Sequence, residues 1–157
     1  MIIGIDPGAQ GAAVLMFSTL TTDRCIEIIR FKTSSLREIA DKLWEWSLIT
    51  KKAYLESVHS MPTDGRATAH QFGRNVGFVE GVLTANRFDI NYIDPKTWQF
   101  ALGLGGRGGA FYETRQEATA ARKRRHREKA EGLFPQIKMT NDIVDALLIA
   151  EFGLRCS

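Results

Sequence analysis

Apolar runs separated by turn residues predict five β-strands. The first two runs flank Asp6-Pro7-Gly8, a sequence typical of a tight turn, so they predict a hairpin. A third run follows after a short polar stretch and extends the hairpin into an antiparallel three-strand meander. Two later runs alternate with helical patterns, which favours parallel strands. The five runs cover residues 1–5, 11–17, 24–31, 53–58 and 90–93.

Helical periodicity predicts the remaining elements. The last helix is apolar around nearly its whole circumference and should pack against the sheet. The helix before it, which follows a glycine-rich loop at 103–109, lacks large apolar residues and should lie at the surface. The order βββαβαβααα predicts an α/β fold with a mixed five-stranded sheet and helices on both faces. The helices cover 36–48, 66–86, 96–102, 111–131 and 141 to about 152.

The second helix carries small residues at every fourth position. Each glycine inside a helix costs about 1 kcal/mol relative to alanine, so a close contact should offset that cost. Packing within the monomer, a dimer interface and a nucleic-acid contact would each provide one, and the sequence does not choose among them. The stripe consists of Ala69, Gly73, Gly77 and Gly81.

Length and composition set the general class of protein. The chain has 157 residues, of which 44% are hydrophobic, so one domain over residues 1–157 can bury a core. The two cysteines, Cys25 and Cys156, lack zinc-binding spacing and indicate reduced thiols. No stretch of about 18 apolar residues occurs, and we expect no leader segment. We expect a cytoplasmic protein with no membrane partner and no organic cofactor.

Positive charge is concentrated in one segment. Residues 107–131 hold eight lysines and arginines against four acids, a local excess of +4, whereas the whole chain carries +3. A solvated helix face is the ordinary interpretation, but repulsion between like charges four residues apart disfavours it. Neutralising the phosphates of DNA is the functional interpretation. The candidate DNA-binding residues are His59, Lys96, Arg107, Arg115, Arg122, Lys123, Arg124, Arg125, Arg127 and Lys129.

The histidines and one tryptophan carry weaker signals. His59, His70 and His126 lack the spacing of metal ligands and are expected to be ordinary surface or core residues, although His59 is close enough to Glu56 in sequence to touch a substrate. Trp98 precedes the glycine-rich loop. It is either a core residue or a surface on which a base stacks, and the sequence leaves both open.

Four acids stand in apolar elements that do not need them for folding: Asp6, Glu56, Asp142 and Asp145. An unpaired buried carboxylate costs several kcal/mol. Asp6 could cap the turn, Glu56 could pair with a lysine, and Asp142 could interact with a helix N-terminus. None of these explanations covers Asp145, which lies in the middle of an apolar run.

Convergence of these carboxylates would explain all four. Oxygen ligands suit a hard divalent cation, and the positive charge relieves their mutual repulsion. Mg²⁺ is the expected ion, with Mn²⁺ as a substitute. Two such ions about 4 Å apart can hydrolyse a phosphodiester without a protein nucleophile. The sequence therefore predicts a two-metal phosphodiesterase.

Three segments also carry a resemblance to a known family. They are Ile3-Gly4-Ile5-Asp6-Pro7-Gly8, the strand that contains Glu56, and Asp142-Ile143-Val144-Asp145-Ala146-Leu147. Together they resemble the RuvC-type Holliday junction resolvases of the RNase H-like superfamily, over residues 1 to about 153. Segments 70–77 and 133–135 resemble the compact phage enzymes of this type, which implies a phage protein acting in the host cytoplasm.

The resemblance implies a specific activity. The chain would be an RNase H-like nuclease domain in which Asp6, Glu56, Asp142 and Asp145 bind metal, and a homodimer would nick two opposed strands of a four-way junction. Two positions depart from the family pattern. The aromatic residue that follows the catalytic glutamate falls near His59, and a lysine before the glycine loop is replaced around Trp98-Gln99. Lys96 or a residue of the basic helix could take the place of that lysine.

Two other classes of protein compete with this interpretation. Sugar kinases and actin-like ATP-binding domains also open with Ile-Gly-Ile-Asp-x-Gly, but they need two such domains, and a chain of 157 residues has room for one. A catalytically silent module that binds DNA junctions would be expected to have lost part of the acid set. Within the nuclease class, four-way junctions, other branched DNA and RNA-containing duplexes remain open as substrates.

Overall fold

The computed structural model contains the elements in the order predicted from the sequence. It describes residues 1–18, 24–57, 65–106 and 114–156. The strands are β1 (Ile2–Asp6), β2 (Ala12–Ser18), β3 (Arg24–Arg30), β4 (Lys52–Glu56) and β5 (Asp89–Ile93). The helices are α1 (Leu36–Ser47), α2 (Arg66–Ala85), α3 (Pro95–Ala101), α4 (Arg115–Leu133) and α5 (Asn141–Arg155).

The strands form one mixed sheet in the order β3-β2-β1-β4-β5. β1, β2 and β3 pair antiparallel, which confirms the predicted meander. β4 pairs parallel with β1 and β5 pairs parallel with β4. β1 therefore lies at the centre of the sheet, with an antiparallel partner on one side and a parallel partner on the other.

Alternating side chains of the sheet supply two hydrophobic cores. Ile3, Ile5 and Leu55 point to the face covered by α1 and α2. Ile2 and Val14 point to the opposite face, where they join buried residues of α3, α4 and α5. This period of two places helices on both faces, as the sequence predicted.

Helix α5 lies directly on the central strand because β1 has no side chain at Gly4. A Cβ atom at Gly4 would lie 2.3 Å from the backbone nitrogen of Ala150 and 2.7 Å from the carbonyl oxygen of Ala146. The two backbones are thus in contact, with only alanines on the helix side. This contact fixes how α5 lies along β1.

The small-residue stripe of α2 does not pack inside the monomer. Gly73, Gly77 and Gly81 are exposed, and a Cβ added at any of them would meet no described atom within 4 Å. The helix buries Val79 and Leu83 instead. Internal packing is therefore excluded as the explanation for these three glycines, as far as the described residues extend.

Several details differ from the sequence-based expectations. On α1, Trp46 is buried, whereas Trp44 is 55% exposed. Trp98 is fully buried, which excludes it as an open stacking surface. α5 continues to Arg155, and β4 ends at Glu56. Among the described residues, every helix is too short or too polar to span a bilayer.

Some predicted features lie outside the described residues. They are His59, Arg107, the end of β4 expected at residue 58, the part of the glycine-rich loop after residue 106, and the part of the fourth predicted helix before residue 114.

The Gly4 contact yields a stability prediction. Gly4→Ala should lower the free energy of unfolding by about 3 kcal/mol, because the methyl group can be accommodated only by moving α5 away from β1. Gly132→Ala is the matched control, since a Cβ at this exposed α4 position meets nothing within 4 Å. The control should be neutral or stabilising by up to about 1 kcal/mol in urea unfolding. Equal stability of the two variants would contradict the proposed contact.

Candidate active site

Two of the predicted acids lie side by side at the carboxyl ends of parallel strands. The β1–β4 register pairs Ile5 with Leu55, so the next residues, Asp6 and Glu56, are neighbours. Both share the side-chain parity of Gly4, and therefore point to the face covered by α5. Asp6 is partly buried, and Glu56 is only 8% exposed.

A third predicted acid reaches the same place from α5. Asp145 lies next to Ala146, which contacts Gly4, so the close packing of α5 on β1 carries its carboxylate to the end of the strand. Its negative charge contributes to raising the pKa of both Asp6 and Glu56. The structure thus brings together one carboxylate from each of β1, β4 and α5.

Burial and mutual repulsion raise the pKa values of the two strand acids. Burial raises the pKa of Asp6 to about 6, against a hydrogen bond of 3.0 Å from the Gly8 N–H, and the Asp145 charge adds to the rise. Burial raises the pKa of Glu56 to about 7, and the Asp6 charge adds to it. The Trp98 hydrogen bond and the Arg122 charge only partly oppose this rise. Both carboxyl groups therefore ionise less readily than exposed acids do.

Asp142 is the one predicted acid that the structure pairs with an arginine. Its carboxylate lies 3.2 Å from the guanidinium Nε of Arg30 on β3, and its side chain is 18% exposed. It occupies the first turn of α5, after the N-cap residue Thr140, where a negative charge interacts favourably with the helix dipole. Asp142 therefore has a separate partner, one turn before Asp145 on α5.

Two residues with direct contacts to the acids were not identified from the sequence. The indole N–H of Trp98 donates to Glu56 Oε1 over 2.9 Å, and His126 Nδ1 lies 2.8 Å from Asp145 Oδ1. The lysine partner considered for Glu56 is thus replaced by an indole. His126 carried no distinct signal in the sequence; in the structure it and Ala130, one turn later, are the buried residues of α4.

Two basic residues of α4 flank the site. Arg122 lies one turn before His126, and its charge acts on Glu56. Lys123 lines a cavity of about 40 Å³ together with His126, Asn141 and Asp145. Both side chains are exposed, and neither has an ion-pair partner in the described ranges.

The other described basic candidates lie further along the same surface or are engaged elsewhere. Arg124 pairs with Glu128, and Arg127 pairs with Glu131. Arg125 donates to the carbonyl of Gly106. Arg115 lines a cavity next to Lys123, Lys129 is half-buried on α4, and Lys96 lines a cavity of about 790 Å³ beside Phe100.

The donor set suits a hard cation. The carboxylates of Asp6, Glu56 and Asp145 supply oxygen ligands, and their repulsion is what a divalent ion relieves. Among the described residues, no three acidic, histidine or cysteine side chains are close enough together to enclose an ion as they stand. Each of the three is instead held by a hydrogen-bonding group of the protein.

Comparison with known proteins identifies the fold. No protein-family model matches the sequence, and no curated protein matches it. Among solved structures, Thermus thermophilus RuvC in complex with a Holliday junction substrate is similar over 99% of this chain and 93% of that chain, with a TM-score of 0.62 and 15% identity. A second structure of T. thermophilus RuvC covers 99% and 95%, with a TM-score of 0.57 and 16% identity.

A poxvirus enzyme is also similar. The Fowlpox virus resolvase, solved with Holliday junction DNA, is matched over 100% of both chains, with a TM-score of 0.52 and 12% identity. All three similarities are at low identity and extend over nearly the full length of both chains. They confirm the predicted RNase H-like fold.

The raised pKa values predict how stability depends on pH. The folded protein holds protons on Asp6 and Glu56 that the unfolded chain releases near pH 4. The contribution of these two groups to the free energy of unfolding is therefore largest at low pH. It is lost as pH rises through about 6 to 7. Asp6→Asn should therefore make the metal-free protein more stable at pH 8, by on the order of 2 kcal/mol, with little change at pH 4.

Urea unfolding in EDTA at the two pH values measures this difference. Asp89→Asn, at an exposed position that begins β5, is the control and should behave like the wild-type protein. A wild-type protein and an Asp6→Asn variant that respond identically to pH would refute the electrostatic account of the cluster.

Proposed function

We propose that the chain is a Mg²⁺-dependent endodeoxyribonuclease that cuts branched DNA, with the four-way junction as its preferred substrate. The observation that carries this proposal is the cluster of Asp6, Glu56 and Asp145 at the end of the central strands. The cluster occurs in a fold shared with two resolvases whose structures contain Holliday junction DNA. Residues 1–157 would form a single nuclease domain.

Asp6, Glu56 and Asp145 would hold the metal, with Asp142 as a fourth ligand one turn away on α5. Two Mg²⁺ ions, or Mn²⁺ in their place, supply a water of lowered pKa and stabilise the leaving oxygen when bound. The protein itself would contribute a partly buried cluster of carboxylates. Because Asp6 and Glu56 hold protons up to about pH 6 and 7, protons compete with the cation, and binding should weaken below neutral pH.

The basic face of α4 would bind the phosphates of the incoming strand. Arg122 and Lys123 adjoin the carboxylates and are exposed, so they can reach a phosphate close to the site of cleavage. The remaining basic candidates would extend this contact along the DNA. Lys96 would contribute from α3, on the other side of the glycine-rich loop. Binding of this kind releases counterions and weakens as salt is added.

Paired cuts at a four-way junction require two active sites, which a homodimer provides by symmetry. The exposed face of α2 is a suitable interface. Gly73, Gly77 and Gly81 leave its backbone open over two turns, so a second helix could approach closely and offset the cost of three helical glycines. Among the described residues, none lies within 4 Å of a Cβ added at these three glycines, which supports this assignment.

A junction cleavage assay tests the nuclease proposal. The wild-type protein should cleave a synthetic four-way junction in Mg²⁺, and Asp6→Asn and Asp145→Asn should each lower the rate by about 1,000-fold, equivalent to about 4 kcal/mol in the barrier. Junction binding in EDTA, measured by fluorescence anisotropy, should remain within a few-fold of wild type. Asp89→Asn is the control with unchanged cleavage.

Linear duplex, flap and DNA–RNA hybrid substrates belong in the same assay. Faster cleavage of any of them than of the junction would reassign the substrate while leaving the nuclease in place. Tight junction binding without cleavage by the wild-type protein would instead favour the catalytically silent module.

The dimer interface has its own test. Gly77→Leu should weaken self-association at least tenfold in sedimentation equilibrium, because a leucine side chain separates the two helix backbones. Gly132→Leu introduces the same side chain at another exposed helical glycine and should leave the association unchanged. A Gly77→Leu protein that associates like wild type would exclude this face.

A further inference from the structure

A buried indole holds one of the clustered carboxylates. Trp98 on α3 is fully buried, and its N–H is satisfied by Glu56 Oε1 at 2.9 Å. No described residue donates a hydrogen bond to the second carboxylate oxygen of Glu56. The contact therefore fixes the rotation of the side chain and, as far as the described residues extend, leaves one oxygen available.

A buried imidazole holds a second carboxylate in the same way. His126 on α4 is 3% exposed, and its Nδ1 lies 2.8 Å from Asp145 Oδ1. With Asp145 ionised, Nδ1 carries the proton and donates it. Nε2 is buried without a hydrogen-bond partner among the described residues, so the contact with Asp145 is the polar interaction that the ring provides. Again, no described group donates to the other oxygen of the carboxylate.

The two rings touch each other. Their centroids are 5.2 Å apart and their planes are inclined by 65°, an edge-to-face contact. Each ring is thus fixed by its neighbour as well as by the core. Neither can rotate without disturbing the other, so the positions of Glu56 and Asp145 are linked through a rigid pair that belongs to α3 and α4.

We infer that Trp98 and His126 are positioning residues that orient Glu56 and Asp145 for cation binding, and this inference rests on the proposed function. Each donor holds one oxygen of its carboxylate, and the other oxygen would be left for the cation. Orientation by outer hydrogen bonds is a general determinant of metal affinity. Because His126 lies on the same helix as Arg122 and Lys123, its contact with Trp98 also fixes the position of the basic helix relative to the site.

The chain contains a matched control for Trp98. Trp46 is likewise buried, and its N–H donates to Glu27 Oε2 over 3.0 Å, but it lies in the core on the opposite face of the sheet. Trp98→Phe and Trp46→Phe both delete an indole–carboxylate hydrogen bond and a similar volume. If Trp98 had only a structural role, the two substitutions should have the same effect on cation binding.

Mn²⁺ binding to the DNA-free protein, measured from the EPR signal of the free ion, tests the inference without using cleavage. Trp98→Phe should raise the dissociation constant about tenfold, whereas Trp46→Phe should stay within about twofold of wild type. Circular dichroism and urea unfolding establish that both variants are folded under the conditions of the titration.

His126 offers a second comparison that does not depend on Trp98→Phe folding. His126→Phe keeps a ring but removes the donor, and should weaken Mn²⁺ binding about tenfold. His126→Gln retains an N–H that can reach Asp145, and should restore the affinity to within about threefold of wild type. In junction cleavage, the phenylalanine variant should lower kcat with little change in KM.

The outcomes separate this inference from the proposed function. If Trp98→Phe binds Mn²⁺ as tightly as Trp46→Phe does, or if His126→Phe and His126→Gln bind it equally well, the positioning role is overturned. The nuclease assignment then stands on wild-type cleavage alone. A wild-type protein that binds no Mn²⁺ and cuts no junction overturns both.

Discussion

The backbone contact between α5 and β1 at Gly4 is the constraint on which the rest of the molecule depends. With no side chain on the strand and alanines on the helix, the two elements approach as closely as their main chains allow. A second close approach, of Gly153 to the ring of Tyr54 on β4, holds the other end of the helix. The position of Asp145 relative to Asp6 follows from this packing.

Electrostatic repulsion in the cluster is tolerated because packing energy and hydrogen bonds oppose it. Glu56 is nearly buried and has two negative neighbours, an arrangement that costs free energy at neutral pH. The two cores on either face of β1 and β4 hold the strands in place regardless. Repulsion between like charges is common at functional sites, because a binding partner of opposite charge relieves it.

The sequence predicted the fold better than it predicted the roles of single residues. The order of strands and helices along the chain follows from periodicity, which is local. The partners of an acid depend on packing between distant elements, which periodicity does not report. Glu151 shows the difficulty. Like Asp145, it interrupts the apolar run of α5, yet it is fully buried and forms ion pairs with Arg24 and Arg155. No pattern in the sequence indicated that Asp142 pairs with Arg30.

The parallel register of β1 and β4 has a consequence for any preparation of the protein. β4 turns Leu55 to the face of α1 and α2 and Glu56 to the face of α5, so its register decides which face each side chain occupies. A slip of one residue would turn Glu56 to the α1–α2 side and Leu55 toward Asp6. Such a molecule would have its acids divided between the two faces of the sheet. In any preparation, Asp6 and Glu56 lie side by side only in molecules whose β1 and β4 are correctly aligned.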